Sequence, residues 1–324
     1  MKRYQEFDLL RVVALGLILF CHFIRSLGFY QLDVPLGCVG NMVFFAMSGW
    51  LLGFTWESKN YPKYDIDFLK HRIFRLAIPL YLFSVPWMCY LKFSGASIGV
   101  KDVTLNLALL NWFDRLPGMT PFWFVTAICG FYFIVLFVSW LCRIRKHMPK
   151  SQLIVCGIII LLQLMLSLLK VRFGYILILV LCGLLCFYNA SFIYTKIKRM
   201  PFVCVIIAAI LAVLLLLVFW YCVWSGNIVV GTPLCYWVSI PIAICIAIVV
   251  FNIPVLGGMG WPIKFISGIS YEVFLVHASM LILMKSFAGS IFNYFWMFII
   301  STFCGAIVLN YFSRLVFKIV WSGK

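Results

Sequence analysis

Residues Val203–Trp220 read Val-Cys-Val-Ile-Ile-Ala-Ala-Ile-Leu-Ala-Val-Leu-Leu-Leu-Leu-Val-Phe-Trp, with no charged side chain among them. Wound as an α-helix, a run of this length spans the hydrocarbon core of a bilayer. Ile154–Leu169 is a second such run. A transmembrane barrel would show strict alternation and lower overall hydropathy. Of the 324 residues, 65% are hydrophobic and 11% charged, and the mean hydropathy is +1.10. A soluble domain is about half apolar and a quarter charged. The composition therefore excludes a water-soluble globule, a disordered tail and a nucleic-acid-binding module. It implies an all-α, polytopic membrane helix bundle.

Working outward from these runs, apolar spans fall near residues 7–29, 36–56, 74–94, 122–142, 151–169, 173–190, 202–224, 234–252, 264–286 and 291–313. About ten transmembrane helices are expected in a single domain over 1–324. Alternating the loops puts nineteen of the 26 Lys and Arg on the side of the N-terminus and seven on the other. The positive-inside rule then makes both termini cytoplasmic and explains the net charge of +17 as loop charge. Glu6, Asp8 and Arg11 interrupt the start of the first apolar stretch, which reads as a retained membrane helix rather than a signal peptide. The 13 cysteines include no C-x-x-C pair and mostly sit inside apolar runs. They read as small buried hydrophobes, with no disulfide framework and no metal site indicated.

The first helix carries polar groups where they are costly. The residues between Arg11 and Arg25 span only about 20 Å as helix, less than the roughly 30 Å of hydrocarbon. At least one of the two arginines must therefore sit in protein or in a water-filled cavity. Arg11 and His22 are three turns plus about 20° apart, on one face and about 16 Å along the axis. Asp8 and Arg25 extend the same face by one turn at either end, Asp8 within reach to orient the Arg11 guanidinium. Ionisable groups so placed are functional candidates by default.

Three further clusters have two readings each. Arg72 and Arg75, in Lys70-His-Arg-Ile-Phe-Arg-Leu-Ala-Ile-Pro79-Leu-Tyr81, share a face and can grip one phosphate group, or simply mark a cytoplasmic helix end. In Ser267-Gly-Ile-Ser-Tyr-Glu272-Val-Phe-Leu-Val-His277-Ala-Ser279, Ser270 and His277 are nearly eclipsed, while Glu272 lies on another face with Ser279. The cluster reads as interhelical polar glue, and for His277 a structural and a functional role weigh equally. Ser48 and Gly49, in Phe44-Phe-Ala-Met-Ser48-Gly49-Trp-Leu-Leu-Gly53, permit close helix approach or line a narrow channel. Trp123, in Pro121-Phe-Trp123-Phe, reads as interfacial belt.

Taken in order, these segments resemble the acyltransferase 3 family of integral-membrane O-acyltransferases. The family hallmark, R/K-x10-H behind an Asp, is similar to Asp8-Leu-Leu-Arg11 followed by His22. F-x-x-S-G-x-L is matched by Phe45-Ala-Met-Ser48-Gly49-Trp-Leu51, and R-x-x-R with P-x-Y by Arg72, Arg75, Pro79 and Tyr81. The W-F pair resembles Trp123-Phe124. The late G-x-S-Y-x-x-Y-L-x-H block resembles Gly268-Ile-Ser270-Tyr271-Glu-Val-Phe-Leu275-Val-His277, with Phe274 in place of the usual Tyr and Ala278 where Pro is frequent.

The resemblance implies transfer of an acyl group, as a rule acetyl, from cytoplasmic acyl-CoA (acetyl-CoA) to a hydroxyl of a surface polysaccharide or a lipid-linked glycan. It also implies a bacterial inner, or plasma, membrane as the setting, with membrane lipid as the surrounding partner and no nucleic acid or metal. His22 is then the expected catalytic base or acyl carrier. Arg11, Arg72 and Arg75 are the expected holders of CoA, whose phosphates suit guanidinium forks. Asp8, Ser48, Gly49, Tyr81, Trp123, Tyr271, Glu272 and His277 are the expected supporting residues. The alternative from another class is a transporter or flippase of an anionic lipid-linked sugar, with the first-helix stripe as its passage.

Overall fold

The structure, a computed structural model, describes residues 4–58, 65–110, 116–144, 148–168, 174–229, 232–253 and 260–322. It is 86% helical, with no strand among the described residues. The helices are α1 (Gln5–Ser26), α2 (Asp33–Ser58), α3 (Ile66–Phe93), α4 (Val100–Leu107), α5 (Trp123–Ile144), α6 (Met148–Leu168) and α7 (Gly174–Tyr188). They continue as α8 (Ala190–Lys198), α9 (Phe202–Trp224), α10 (Pro233–Asn252), α11 (Gly260–Gly268), α12 (Ser270–Lys285) and α13 (Ile291–Ser322).

Every expected span falls on helix, but not every one is a single helix. Among the described residues seven helices are long and apolar enough to cross a membrane, and nine spans result if each interrupted pair counts once. The expected span 151–169 falls on α6, of which Ile154–Leu166 is the apolar part. Span 173–190 is α7, and the chain then turns 81° at Asn189 into α8. The Asn189 side chain bonds back to the Leu185 carbonyl at 3.0 Å, which supports the corner. Span 264–286 is broken at Ile269 into α11 and α12. Gly268, a poor helix former, stands at the break and Ser270 opens the next helix. The sequence pattern predicts one continuous helix there, so this is a correction.

The chain forms two compact units, one of Met1–Lys63 with Phe137–Ser267 and one of Tyr64–Leu136 with Gly268–Lys324. In the first, α2 is central and 72% of its apolar stretch is buried, against 17% for α9, whose side chains face outward as lipid-covered helices do. Glycine brings α2 close to its neighbours. A Cβ on Gly49 would stand 1.8 Å from the Gly183 carbonyl oxygen, and one on Gly53 2.3 Å from that of Phe187. A Cβ on Gly40 would meet Ile18 of α1 at 2.7 Å. Lipid offers no hydrophobic drive between helices, so such backbone approach supplies van der Waals contact instead. Tyr4, Phe7, Trp50, Phe54, Tyr194 and Phe251 interlock at one end of this unit, their ring centroids 5.0–6.2 Å apart.

The second unit packs α3, α5, α12 and α13 around Leu80, Trp87, Phe122, Val125, Leu275 and Val276. Pro79 and Pro86 lie inside α3. In the connection between α3 and α5, α4 is an additional short helix. It is tied down by Ser84 Oγ to Asn106 Oδ1 at 2.8 Å and by the Tyr81 hydroxyl to the Leu107 carbonyl at 2.5 Å.

Candidate functional site

In the first unit the α1 face that bears the polar stripe turns inward. Leu15 and Ile18, which lie between Arg11 and His22 on that face, are both buried. Asp8 is buried and Arg11 half-buried at one end of the stripe. Ser267, the penultimate residue of α11, joins them: its hydroxyl donates to Asp8 Oδ1 at 2.6 Å and accepts from Arg11 Nη1 at 3.2 Å. Ser267 thus bridges Asp8 and Arg11 and helps to orient the guanidinium.

His22 is half-buried, three turns further on. One turn beyond it Arg25 Nε donates to Asp33 Oδ2 at 2.5 Å. Asp33 opens α2 and is fully buried. Asp33 is absent from the sequence expectations. The signal that would have found it is an acid shortly after an arginine that the membrane cannot solvate. Ser48 bonds back to the Phe44 carbonyl at 2.9 Å, and Gly49 is filled by the α7 backbone. For Gly49 the packing reading holds.

In the second unit Arg72 lies over the rings of Phe68 and Tyr132, 5.5 and 5.9 Å from their centroids. Stacking of this kind orients a guanidinium plane without consuming its donors. Arg75 is exposed, three residues further along α3. Pro79 has no N–H for the Arg75 carbonyl, and the next carbonyl, that of Leu76, takes the Tyr271 hydroxyl at 2.8 Å. Tyr271 therefore fixes the turn of α3 that presents Arg75.

Its neighbour Glu272 is buried and accepts from Asn310 of α13 at 2.8 Å. Arg75 and Arg314 act on the Glu272 charge. His277 is buried with Nδ1 2.7 Å from the Phe274 carbonyl. A carbonyl only accepts, so Nδ1 carries the proton and Nε2 has the lone pair. Glu272 and His277 thus bond different partners, as their separate helical faces require. Tyr81, as described, secures α4, and Trp123 stands edge-on to Phe124 at 6.1 Å. Asn310 and Tyr132 carry no signal in the sequence that sets them apart from other residues of apolar helices.

Within the first unit the arrangement brings Asp8, Arg11 and Ser267 together. Within the second it groups Arg75, Tyr271 and Glu272 around the start of α12 and the middle of α3. Fixed guanidinium groups suit an anionic ligand, and a half-buried imidazole suits proton transfer. No curated protein and no solved structure matches the chain. The family model described as an acyltransferase domain matches residues 4–312, nearly the full length. The segments quoted above all lie within that match, and the chain belongs to the acyltransferase 3 family, as a membrane acyltransferase.

Proposed function

We propose that this acyltransferase moves an acetyl group from acyl-CoA on the cytosolic side to a hydroxyl of a cell-surface or lipid-linked polysaccharide of the bacterial envelope. The observation that carries the reading is the inward face of α1, with Arg11 fixed by Ser267 at one end and His22 three turns away. CoA is a polyanion on an extended apolar arm. Arg11 supplies a guanidinium group for its phosphates. The distance of about 16 Å between Arg11 and His22 along α1 suits delivery of the thioester to the imidazole.

His22 takes the proton of the acceptor hydroxyl as its oxygen attacks the thioester carbonyl. The C–S bond then breaks, an ester forms and CoA leaves as the thiol after receiving that proton. Neutral imidazole has the right basicity near pH 7 for this exchange.

The test uses purified protein in detergent with acetyl-CoA and surface glycan extracted from cells lacking it, with free CoA thiol and glycan ester measured together. The wild type is expected to release CoA only when glycan is present. His22→Ala is expected to lose about 10²–10⁴ in rate while keeping its elution volume and thermal stability. Wild-type turnover by that variant overturns the assignment of His22. Glycan flipping by the wild type reconstituted in liposomes, without any release of CoA, selects the transporter reading instead.

A further inference from the structure

At the far end of α1 from Arg11, the pair Arg25–Asp33 is built unlike an ordinary surface ion pair. Asp33 is fully buried, yet only Oδ2 is engaged, by Arg25 Nε at 2.5 Å and by the Cys21 thiol at 3.9 Å. Its Oδ1 is buried with no hydrogen-bond partner. A carboxylate buried with one oxygen unsatisfied is a poor device for stability. It is a good device for holding Arg25 in place.

Arg25 is held through Nε alone and its side chain is 46% exposed. Among the described residues it has no other partner. The bidentate edge of the guanidinium, formed by its two Nη groups, is therefore left for a ligand on a half-exposed side chain. That edge fits two oxygens of one phosphate. Phe29, Tyr30 and Leu32, directly after α1, are exposed as well. An anion bound here meets apolar side chains beside the charge, which favours an amphiphile over a free ion. The Trp220 indole donates to the Leu32 carbonyl at 2.5 Å, so this connection is tied to α9.

We infer that Arg25, oriented by Asp33, is a binding site for the phosphate head of a membrane amphiphile. Resting on the assignment of His22 above, the site also anchors the acceptor. Arg25 follows His22 by one helical turn, about 4.5 Å of rise, so an acceptor glycan carried on a phosphorylated lipid would have its sugar held beside the imidazole. Arg25 is here a binding residue and Asp33 a positioning residue.

Farnesyl diphosphate is a suitable probe because it has a phosphate head and an apolar tail but no sugar to acylate; farnesol is its neutral control. Binding is measured by calorimetry on the purified full-length protein in neutral detergent, without acetyl-CoA. The wild type is expected to bind farnesyl diphosphate and not farnesol. Arg25→Gln is expected to weaken binding by about tenfold or more, the loss of two charge-assisted hydrogen bonds. Arg25→Lys should recover part of it, and Asp33→Asn should weaken it with little change in thermal stability.

Two competition arms distinguish the sources of phosphate. Farnesyl diphosphate binding that is unchanged in nanodiscs containing phosphatidylglycerol supports the acceptor role. Loss of that binding in nanodiscs with phosphatidylglycerol, but not in those without it, supports the phosphate site but overturns the acceptor role. Wild-type affinity in a folded Arg25→Gln, or equal binding of farnesol, overturns the site itself. Because no turnover is measured, these outcomes are independent of whether His22 proves to be the base.

Discussion

Ser267 links Asp8 and Arg11, the polar pair at one end of the first-helix stripe. Its hydroxyl is both donor and acceptor, toward Asp8 at 2.6 Å and from Arg11 at 3.2 Å. Alanine there removes one bond from a buried carboxylate and one from a guanidinium. Each such bond to a charged group contributes about 1.5–3 kcal/mol, less whatever water restores. If Arg11 holds CoA phosphate, Ser267→Ala leaves the charge but frees its orientation. The expected result is a rise of about three- to tenfold in the KM for acetyl-CoA with kcat nearly kept. A fall in thermal stability with KM unchanged would give Ser267 a purely structural role. The sequence shows Asp8 and Arg11 on one face but cannot show Ser267 beside them, because more than 250 residues separate the partners. Spacing rules reach only as far as one helix. The same limit hides Asn310 from Glu272, whereas Arg25 and Asp33 are close enough in the chain for electrostatic reasoning to have joined them.

At the level of elements, helix existence is written in hydropathy and helix interruption is not. Gly268 and Asn189 are the residues at which two expected spans break or turn, and each is a weak signal inside an apolar run. α8 and α4 are short, and neither has the length of a membrane span. The glycines of α2 are clearer, because only contact with another backbone makes their lack of a side chain indispensable. A Cβ on Gly49 would lie 1.8 Å from the Gly183 oxygen and 2.9 Å from its Cα, so α2 and α7 must separate to admit it. A Cβ on Gly16 of α1 would meet nothing within 4 Å. Gly49→Ala is therefore expected to cost about 1–3 kcal/mol or more as overpacking. Gly16→Ala should be neutral or gain up to about 1 kcal/mol of helix propensity. Thermal unfolding of the two variants in the same detergent checks the contrast, and equal midpoints would disprove the close approach.

Over the first unit as a whole, contacts sort the loops into two groups. Lys198 pairs with Glu6, Glu57 accepts from Ser191, and Asn252 donates to the Ile197 carbonyl at 3.1 Å. At the opposite end lie Arg25 with Asp33, and Trp220 with Leu32. This is the partition that loop alternation predicts from the sequence, reached without reference to charge. The positive-inside rule assigns which group faces the cytosol, and the proposed donor use depends on it, since CoA phosphates held by Arg11 would have to arrive from the cytosolic side. Lys196→Cys in α8 and Tyr30→Cys after α1 are both exposed positions at opposite ends of this unit. With a membrane-impermeant maleimide, Tyr30→Cys is expected to label on intact cells and Lys196→Cys only after permeabilisation, each read above wild-type background. The described exposed native cysteines, Cys89, Cys204 and Cys304, lie within helices long and apolar enough to cross a membrane, where a membrane-impermeant reagent is expected to reach them poorly. Labelling of Lys196→Cys from outside would invert the protein in the membrane and leave Arg11 on the wrong side for a cytosolic donor.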